Sequence, residues 1–249
     1  MCSTDNNSSM NNGMQRDDVG DAFGSFGRSS TVSPLSVAQL APTQRYATYY
    51  NMNHSKRGVA LIFNHEFFTV PHLKPRCGTN VDCENLTLNL KNLGFEVNDF
   101  HNLTHKDVVK QLERAAEMDH SEHDCLVIAV LSHGELGLLY AHDTAYKADS
   151  LWHYFTADKC QSLAGKPKLF FIQACQGDKL DPALCMELRD NGTHYDLLTL
   201  LTFVCQRVAL DYESNTPDNM AMHQQKQIPC ITTMLTRLVK FTSPRNGVI

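Results

Sequence analysis

The fold is decided by the stretch CLVIAVLSHG, residues 125–134, in which seven apolar residues run without interruption to Leu131. A run of this length, rich in β-branched residues, is typical of a strand buried on both faces of a parallel sheet. Working outward, we predict three further strands with the same character, over Gly58–Phe63, Phe95–Phe100 and Lys168–Gln173.

The segments between these strands have helical periodicity. Leu86, Leu90 and Leu93 recur on one helix face and are followed by Gly94, a typical helix stop. Thr104 can cap a second helix, and helical sequence resumes from about Ala183. Strands that alternate with helices of this length predict an α/β domain with a mostly parallel sheet. A last apolar run, residues 228–235, is predicted to be a strand.

Composition narrows the class of protein. The 249 residues carry 22 Lys and Arg against 27 Asp and Glu, a net charge of −5, which argues against nucleic acid or an anionic membrane as the main partner. No apolar run approaches the ~20 residues of a membrane span, and the first 45 residues lack the apolar core of a secretory signal. Nine cysteines without an export signal indicate reduced thiols, so we expect a cytoplasmic protein. Residues 1–45, rich in Ser, Asn and Gly, are expected to be disordered.

Residues whose side chains are capable of catalysis follow two of the predicted strands. His133-Gly134 follows one buried strand, and Cys175 follows another. Functional groups of parallel sheets gather beyond the carboxyl ends of the strands, so we expect this imidazole and this thiol at one edge. A cysteine with a nearby base can act as a nucleophile. Taken singly, each residue is more often structural, as a packed thiol or a turn.

The same residues carry a family resemblance. The pentapeptide QACQG, residues 173–177, with a histidine 42 positions before its cysteine, resembles the catalytic signature of caspases. The segments GVALIFN (58–64), RCGTNVD (76–82), LSHG (131–134), KLFFIQAC (168–175) and IPCI (228–231) are also similar to caspase landmarks. The resemblance covers about residues 45–241 and is greatest to the executioner caspases of insects.

The resemblance implies the caspase-like (caspase–haemoglobinase) three-layer fold, with helices on both faces of the sheet. It implies cleavage of protein substrates after aspartate, without a cofactor or a metal. Cys175 would be the nucleophile and His133 the general acid and base, while the backbone N–H groups of Gly134 and Cys175 would bind the oxyanion. Arg76 and Gln173 match groups that hold the substrate aspartate, a role for which a planar guanidinium is well suited. The implied division is a pro-segment (1–45), a large-subunit region (46–181) and a shortened small-subunit region (182–249).

The chain departs from the caspase pattern at the junction of Asp181 and Pro182. Several dozen residues that open the small subunit of caspases are absent there, including a Trp-Arg pair, and the single tryptophan, Trp152, lies elsewhere. Three hypotheses follow. The chain is an executioner-type protease of weak or no activity, a non-catalytic regulator that binds active caspases through a strand at 228–235, or an incomplete gene model.

Three smaller features complete the expectations. Asp18 and Asp21 precede Ala22 in the spacing of a caspase-type processing site. His120-x-x-His123-x-Cys125 lacks the partner ligands of a zinc motif, so we expect a solvated turn there. Cys205 and Cys230 are interpreted as packed thiols.

Overall fold

A computed structural model describes residues 44–174, 182–211 and 229–243 of the chain. The strands are β1 (Val59–Asn64), β2 (Glu96–His101), β3 (Leu126–Ser132), β4 (Gly134–Glu135), β5 (Leu138–Tyr140), β6 (Ala145–Lys147) and β7 (Lys168–Ala174). The helices are α1 (Thr79–Asn92), α2 (His105–Glu117), α3 (Ser150–His153), α4 (Ala183–Asn191) and α5 (Leu197–Asp211), with a 3-10 turn at Gln161–Leu163.

Four parallel strands form the central sheet in the order β2-β1-β3-β7, and helices pack on both of its faces. Alternate side chains of β1 and β3 point to opposite faces, because successive residues of a strand do so. One face carries Ala60 and Ile62 and packs against α1, α4 and α5. The other carries Leu61 and Phe63 and packs against α2 and α3. The predicted three-layer α/β fold and its four parallel strands are therefore confirmed.

Two residues that were predicted to mark helix ends, Thr104 and Gly94, do so in the structure. Thr104 accepts a hydrogen bond from the backbone N–H of Asp107 at the start of α2. Gly94 adopts a positive φ of 91° just after α1, a conformation that favours glycine. The helical sequence from Ala183 divides into α4 and α5, because Asp196 accepts from the N–H groups of Leu198 and Thr199 and so begins a new helix.

The predicted strand at 228–235 is wrong over its described part, since residues 229–235 belong to no strand. A strand needs a ladder partner, and within the described residues β7 pairs only with β3. Phe171 of β7 and Ile231 line the same cavity of about 350 Å³, so open space takes the place of a paired strand. Cys230 is exposed and Cys205 is half-buried, so the expectation of packed thiols is wrong for Cys230.

Most of the expected disordered segment, residues 1–43, lies outside the described residues. In the part of the chain that the structure describes, no helix is long and apolar enough to cross a membrane.

Arg57 ties the amino-terminal end of the sheet to the end of the described chain. Its guanidinium donates to Asp124 Oδ2 at 2.8 Å, to the Leu93 carbonyl at 3.0 Å, and to the carbonyl and hydroxyl of Thr242 at 2.8 and 2.9 Å. The side chains of Arg57 and Asp124 are only 6% and 3% exposed. A buried ion pair is costly to break, because removal of one partner leaves the other charge without compensation.

We expect Arg57→Met to lower the free energy of unfolding by about 3–5 kcal/mol, because the buried Asp124 would lose its arginine and keep only its contacts with His54. Equilibrium denaturation in urea measures the change. The matched control is Arg189→Met, which breaks the exposed pair with Asp190 and should cost far less, because solvent screens surface ion pairs. Equal losses in the two variants would contradict the role given to Arg57.

Candidate active site

The register of the sheet places His133 beside the end of β7. Ser132 of β3 is paired with Ala174 of β7, and these two residues directly precede His133 and Cys175 in the sequence. Cys175 itself lies outside the described residues. The side chain of His133 is half-buried at the same edge.

Gly134 lies against the residue that precedes Cys175. A Cβ atom at Gly134 would meet the Cβ of Ala174 at 2.6 Å and the carbonyl oxygen of Leu138 at 2.9 Å. Contacts this short exclude any side chain, so glycine is needed for the close approach of the two strand ends. The predicted oxyanion residue Gly134 thus lies against Ala174, the residue that precedes Cys175 in the sequence.

The orientation of His133 follows from its hydrogen bond. Its Nε2 lies 2.8 Å from the carbonyl oxygen of Lys74, which can only accept, so Nε2 carries the proton. In the neutral ring Nδ1 then holds the lone pair and is the basic atom. The Phe68 ring, with its centroid 4.9 Å from that of His133, packs beside the imidazole. The sequence did not predict the contacts of His133 with Lys74 and Phe68. The Lys74 contact uses a backbone carbonyl, which every residue type has, so the residue type gives no signal of it.

Arg76 is buried and anchored to the end of β1. Its Nη1 donates to Thr79 Oγ1 at 2.7 Å and to the carbonyl of His65 at 3.2 Å. The Thr79 hydroxyl donates to Asn64 Oδ1 at 2.7 Å, which links the arginine to the last residue of the strand. A guanidinium already held by two hydrogen bonds loses little further entropy when it binds a carboxylate.

The same network continues away from Arg76. Asn64 Nδ2 donates to Asn80 Oδ1 at 2.7 Å, and Asn80 Nδ2 donates to Glu66 Oε2 at 2.8 Å. Asn64 ends β1, Glu66 follows it, and Asn80 lies in the first turn of α1. The network therefore ties the carboxyl end of a strand to the amino end of a helix. The RCGTNVD segment predicted a role for Arg76, but it did not predict which residues form hydrogen bonds with the arginine.

Gln173 occupies the same row of the sheet. It is paired with Leu131, which is paired in turn with Asn64 of β1. Its side-chain Nε2 is buried and has no hydrogen-bond partner among the described residues. Buried amide donors are normally satisfied, so this group can donate to an anionic ligand at the edge.

His65 is a buried histidine that sequence reasoning missed. It is fully buried directly after β1, and neither ring nitrogen has a partner within the described residues. Burial, and then the positive charge of Arg76, lower its pKa from 6.5 to about 4. His65 is therefore neutral at physiological pH and adds no charge beside Arg76.

The His120–His123 turn has a structural role. Lys166 Nζ donates at 2.7 Å to the carbonyls of His120, Ser121 and His123, and His120 Nε2 contacts the carbonyl of Ala115. The expectation of a solvated turn is wrong, because the three lysine bonds hold both histidines in the interior. Burial also raises the pKa of the Cys125 thiol strongly.

The comparisons with known proteins agree with this geometry. The family model described as "Caspase domain" matches residues 57–183 and 182–240. The chain belongs to the caspase family. It is a caspase-type cysteine endopeptidase, a hydrolase of a family that acts in apoptosis.

Insect caspases are among its similar relatives. Caspase-1 of Spodoptera frugiperda is 52% identical over 273 residues, with 90% of each chain covered. Caspase drICE of Drosophila melanogaster is 48% identical over 275 residues, which cover 90% of this chain and 81% of the relative. The crystal structure of Caspase-1 from Spodoptera frugiperda gives a TM-score of 0.77 at 55% identity, with 82% of this chain and 98% of that chain covered.

The comparisons also locate the departure from the caspase pattern. The two matched segments meet at residues 182–183, beside the junction of Asp181 and Pro182. The alignment of 273 positions is longer than the 249 residues of this caspase, so the relative contains residues without a counterpart here. The predicted processing residues, Asp18 and Asp21, lie outside the described residues.

The buried His65 makes the stability of the fold depend on pH. Below pH 6.5 the unfolded chain binds a proton at this residue that the folded chain, with a pKa of about 4, does not bind. Stability therefore falls as pH decreases from 6.5 towards 4. We expect a loss of about 2 kcal/mol between pH 7 and about pH 5 that His65→Gln removes. Urea denaturation at several pH values measures it.

The control for this prediction is His72→Asn, which changes an exposed histidine with a positive φ of 69° that asparagine tolerates. This variant should keep the full pH dependence. An unchanged slope in His65→Gln would show that another group titrates.

Proposed function

We propose that this caspase cleaves peptide bonds after aspartate in the execution of cell death. Cys175 is the nucleophile and His133 is the general acid and base. The observation that supports these roles is the register of β3 and β7, which pairs Ser132 with Ala174, the residues that directly precede His133 and Cys175. The absence of cysteines in disulfides among the described residues supports a reducing compartment, the cytoplasm.

The proposed reaction begins with transfer of the Cys175 thiol proton to Nδ1 of His133. The thiolate attacks the carbonyl carbon of the peptide bond, and His133 returns the proton to the leaving amine as the C–N bond breaks. His133 then takes a proton from water, which attacks the thioester carbonyl carbon; the C–S bond breaks, the new carboxyl terminus leaves, and His133 returns the proton to the Cys175 sulfur. The hydrogen bond from Nε2 to the Lys74 carbonyl fixes the ring and stabilises the imidazolium that forms.

The proposed substrate contacts follow from the row of polar groups at the edge. The backbone N–H groups of Gly134 and Cys175 hold the oxyanion. Arg76, anchored by Thr79, and the buried amide of Gln173 hold the substrate aspartate. We assign residues 1–45 to a pro-segment, 46–181 to the large-subunit region and 182–249 to a shortened small-subunit region.

The decisive experiment is turnover of a fluorogenic Asp-Glu-Val-Asp peptide by the purified full chain. Turnover should be abolished in Cys175→Ala, because the nucleophile is lost, and should be retained in Cys230→Ser, a matched change of an exposed thiol. Equal turnover in Cys175→Ala and in the unaltered chain would contradict the proposal.

A second function, regulation of active caspases without catalysis, is favoured by the open edge of β7. Ile172 of this strand is 41% exposed, and Met234 in the segment 229–235 is 92% exposed. Both are surfaces on which a homodimer or a heterodimer with another caspase can form. Absence of turnover together with inhibition of an active insect caspase supports this function. Sequencing of the transcript across Asp181–Pro182 tests whether the gene model is incomplete.

We also propose processing after Asp21, with Asp18 as the fourth residue of the recognised sequence. Treatment with an active executioner caspase should remove about 2 kDa, and Asp21→Glu should block this loss, because the protease requires the shorter carboxylate. Mass spectrometry of the treated chain measures the change, with Asp17→Glu as the control. Loss of the same fragment from Asp21→Glu would place the site elsewhere.

A further inference from the structure

Three metal-binding residue types meet at the opposite edge of the sheet from β7. Cys83 of α1 and Asp99 and His101 of β2 each offer one donor atom, and these atoms all lie within 4.8 Å of one another. Cys83 precedes the Asp-x-His pair by 16 positions and forms no known spacing motif with it, so the sequence predicted no metal.

The strand pattern explains how the cluster arises. Phe100 of β2 stacks on Phe63 and faces the α2 side of the sheet, so its neighbours Asp99 and His101 face α1. Helix α1 presents the buried Cys83 to the same space. A carboxylate and an imidazole on the helix-facing side of a strand are unusual, because that side normally packs apolar side chains.

We propose that Cys83, Asp99 and His101 bind a divalent transition-metal ion, with Zn²⁺ as the best match. Sulfur, nitrogen and oxygen donors on one site are the set that zinc accepts, and three protein ligands leave a fourth position for water. The side chains of His101 and Asp99 are 46% and 42% exposed, so solvent reaches the site from one side, while Cys83 closes the other. A tetrahedral zinc site spaces its donors about 3.5 Å apart, so the cluster has to contract by little more than about 1 Å.

The contacts of the cluster define what the ion must displace. His101 Nε2 lies 3.1 Å from Asp99 Oδ2, and the ion replaces this contact with two bonds to itself. The Cys83 thiol loses its proton to solvent as the metal–sulfur bond forms, since the thiolate is the ligand. Asn64 Nδ2, a donor, lies 3.3 Å from the other ring nitrogen, His101 Nδ1, so without the ion Nδ1 accepts and Nε2 carries the proton. Binding of the ion through Nε2 moves this proton to Nδ1 and gives up the Asn64 hydrogen bond.

The test is titration of the full-length Cys175→Ala chain with Co²⁺, a spectroscopic substitute for Zn²⁺, in the presence of a non-coordinating reductant. The Cys175→Ala background removes the proposed catalytic thiol, so the result does not depend on the proposed protease activity. We expect one equivalent of Co²⁺ to give a thiolate charge-transfer band and the visible absorption of a four-coordinate ion. Added Zn²⁺ should erase both signals.

Variants assign the signal to the cluster. In the same background Cys83→Ser should abolish the charge-transfer band, and His101→Gln or Asp99→Asn should weaken Co²⁺ binding at least about tenfold. Cys230→Ser, which removes an exposed thiol outside the cluster, should leave the titration unchanged.

The proposal is overturned if Co²⁺ gives no charge-transfer band, if the band persists in Cys83→Ser, or if Cys230→Ser removes it. Circular dichroism shows whether Cys83→Ser folds. If it does not fold, the exposed position His101 decides the outcome, and unchanged affinity in His101→Gln overturns the proposal.

Discussion

The structure depends on one buried ion pair, between Arg57 and Asp124. These residues precede β1 and β3, the two central strands, and the same guanidinium also binds the Leu93 carbonyl and Thr242. Because the rise per residue of a strand is nearly constant, a contact that fixes where two strands begin also fixes where they end relative to each other. The alignment of the carboxyl ends, where Asn64, Leu131 and Gln173 share a row, therefore begins with this pair at the opposite end of the sheet.

Hydrogen bonds fix two groups near the carboxyl ends of the central strands. Arg76 is held through Thr79 and Asn64, and His133 is held by a backbone carbonyl, so both are oriented before any substrate arrives. Preorganised donors of this kind reduce the entropy lost on binding and the reorganisation needed during reaction. The neutral His65 beneath them keeps the charge of the edge concentrated on Arg76.

Local sequence patterns were sufficient for the central strands, α1 and α2, because burial and helix capping act over a few neighbouring residues. The prediction of a strand at 228–235 was wrong because such local patterns do not show whether a segment has a partner strand. The composition of this segment favours a strand, but strand formation requires a neighbour, and pairing between strands is non-local. The partners of His133 and Arg76 were missed for a related reason, since the path of residues 65–78 determines them and their residue types do not. The cluster of Cys83, Asp99 and His101 likewise exists only after α1 has packed on β2.

Among the described residues one side of β7 has no strand partner, and this affects how the chain behaves as its concentration rises. An exposed edge strand offers backbone donors and acceptors to any other chain with a similar edge, and such association grows with concentration. The nearby side chains Ile172 and Ile231 carry no charge that would oppose it. Self-association through this edge therefore depends on the concentration of the chain and not on its catalytic activity.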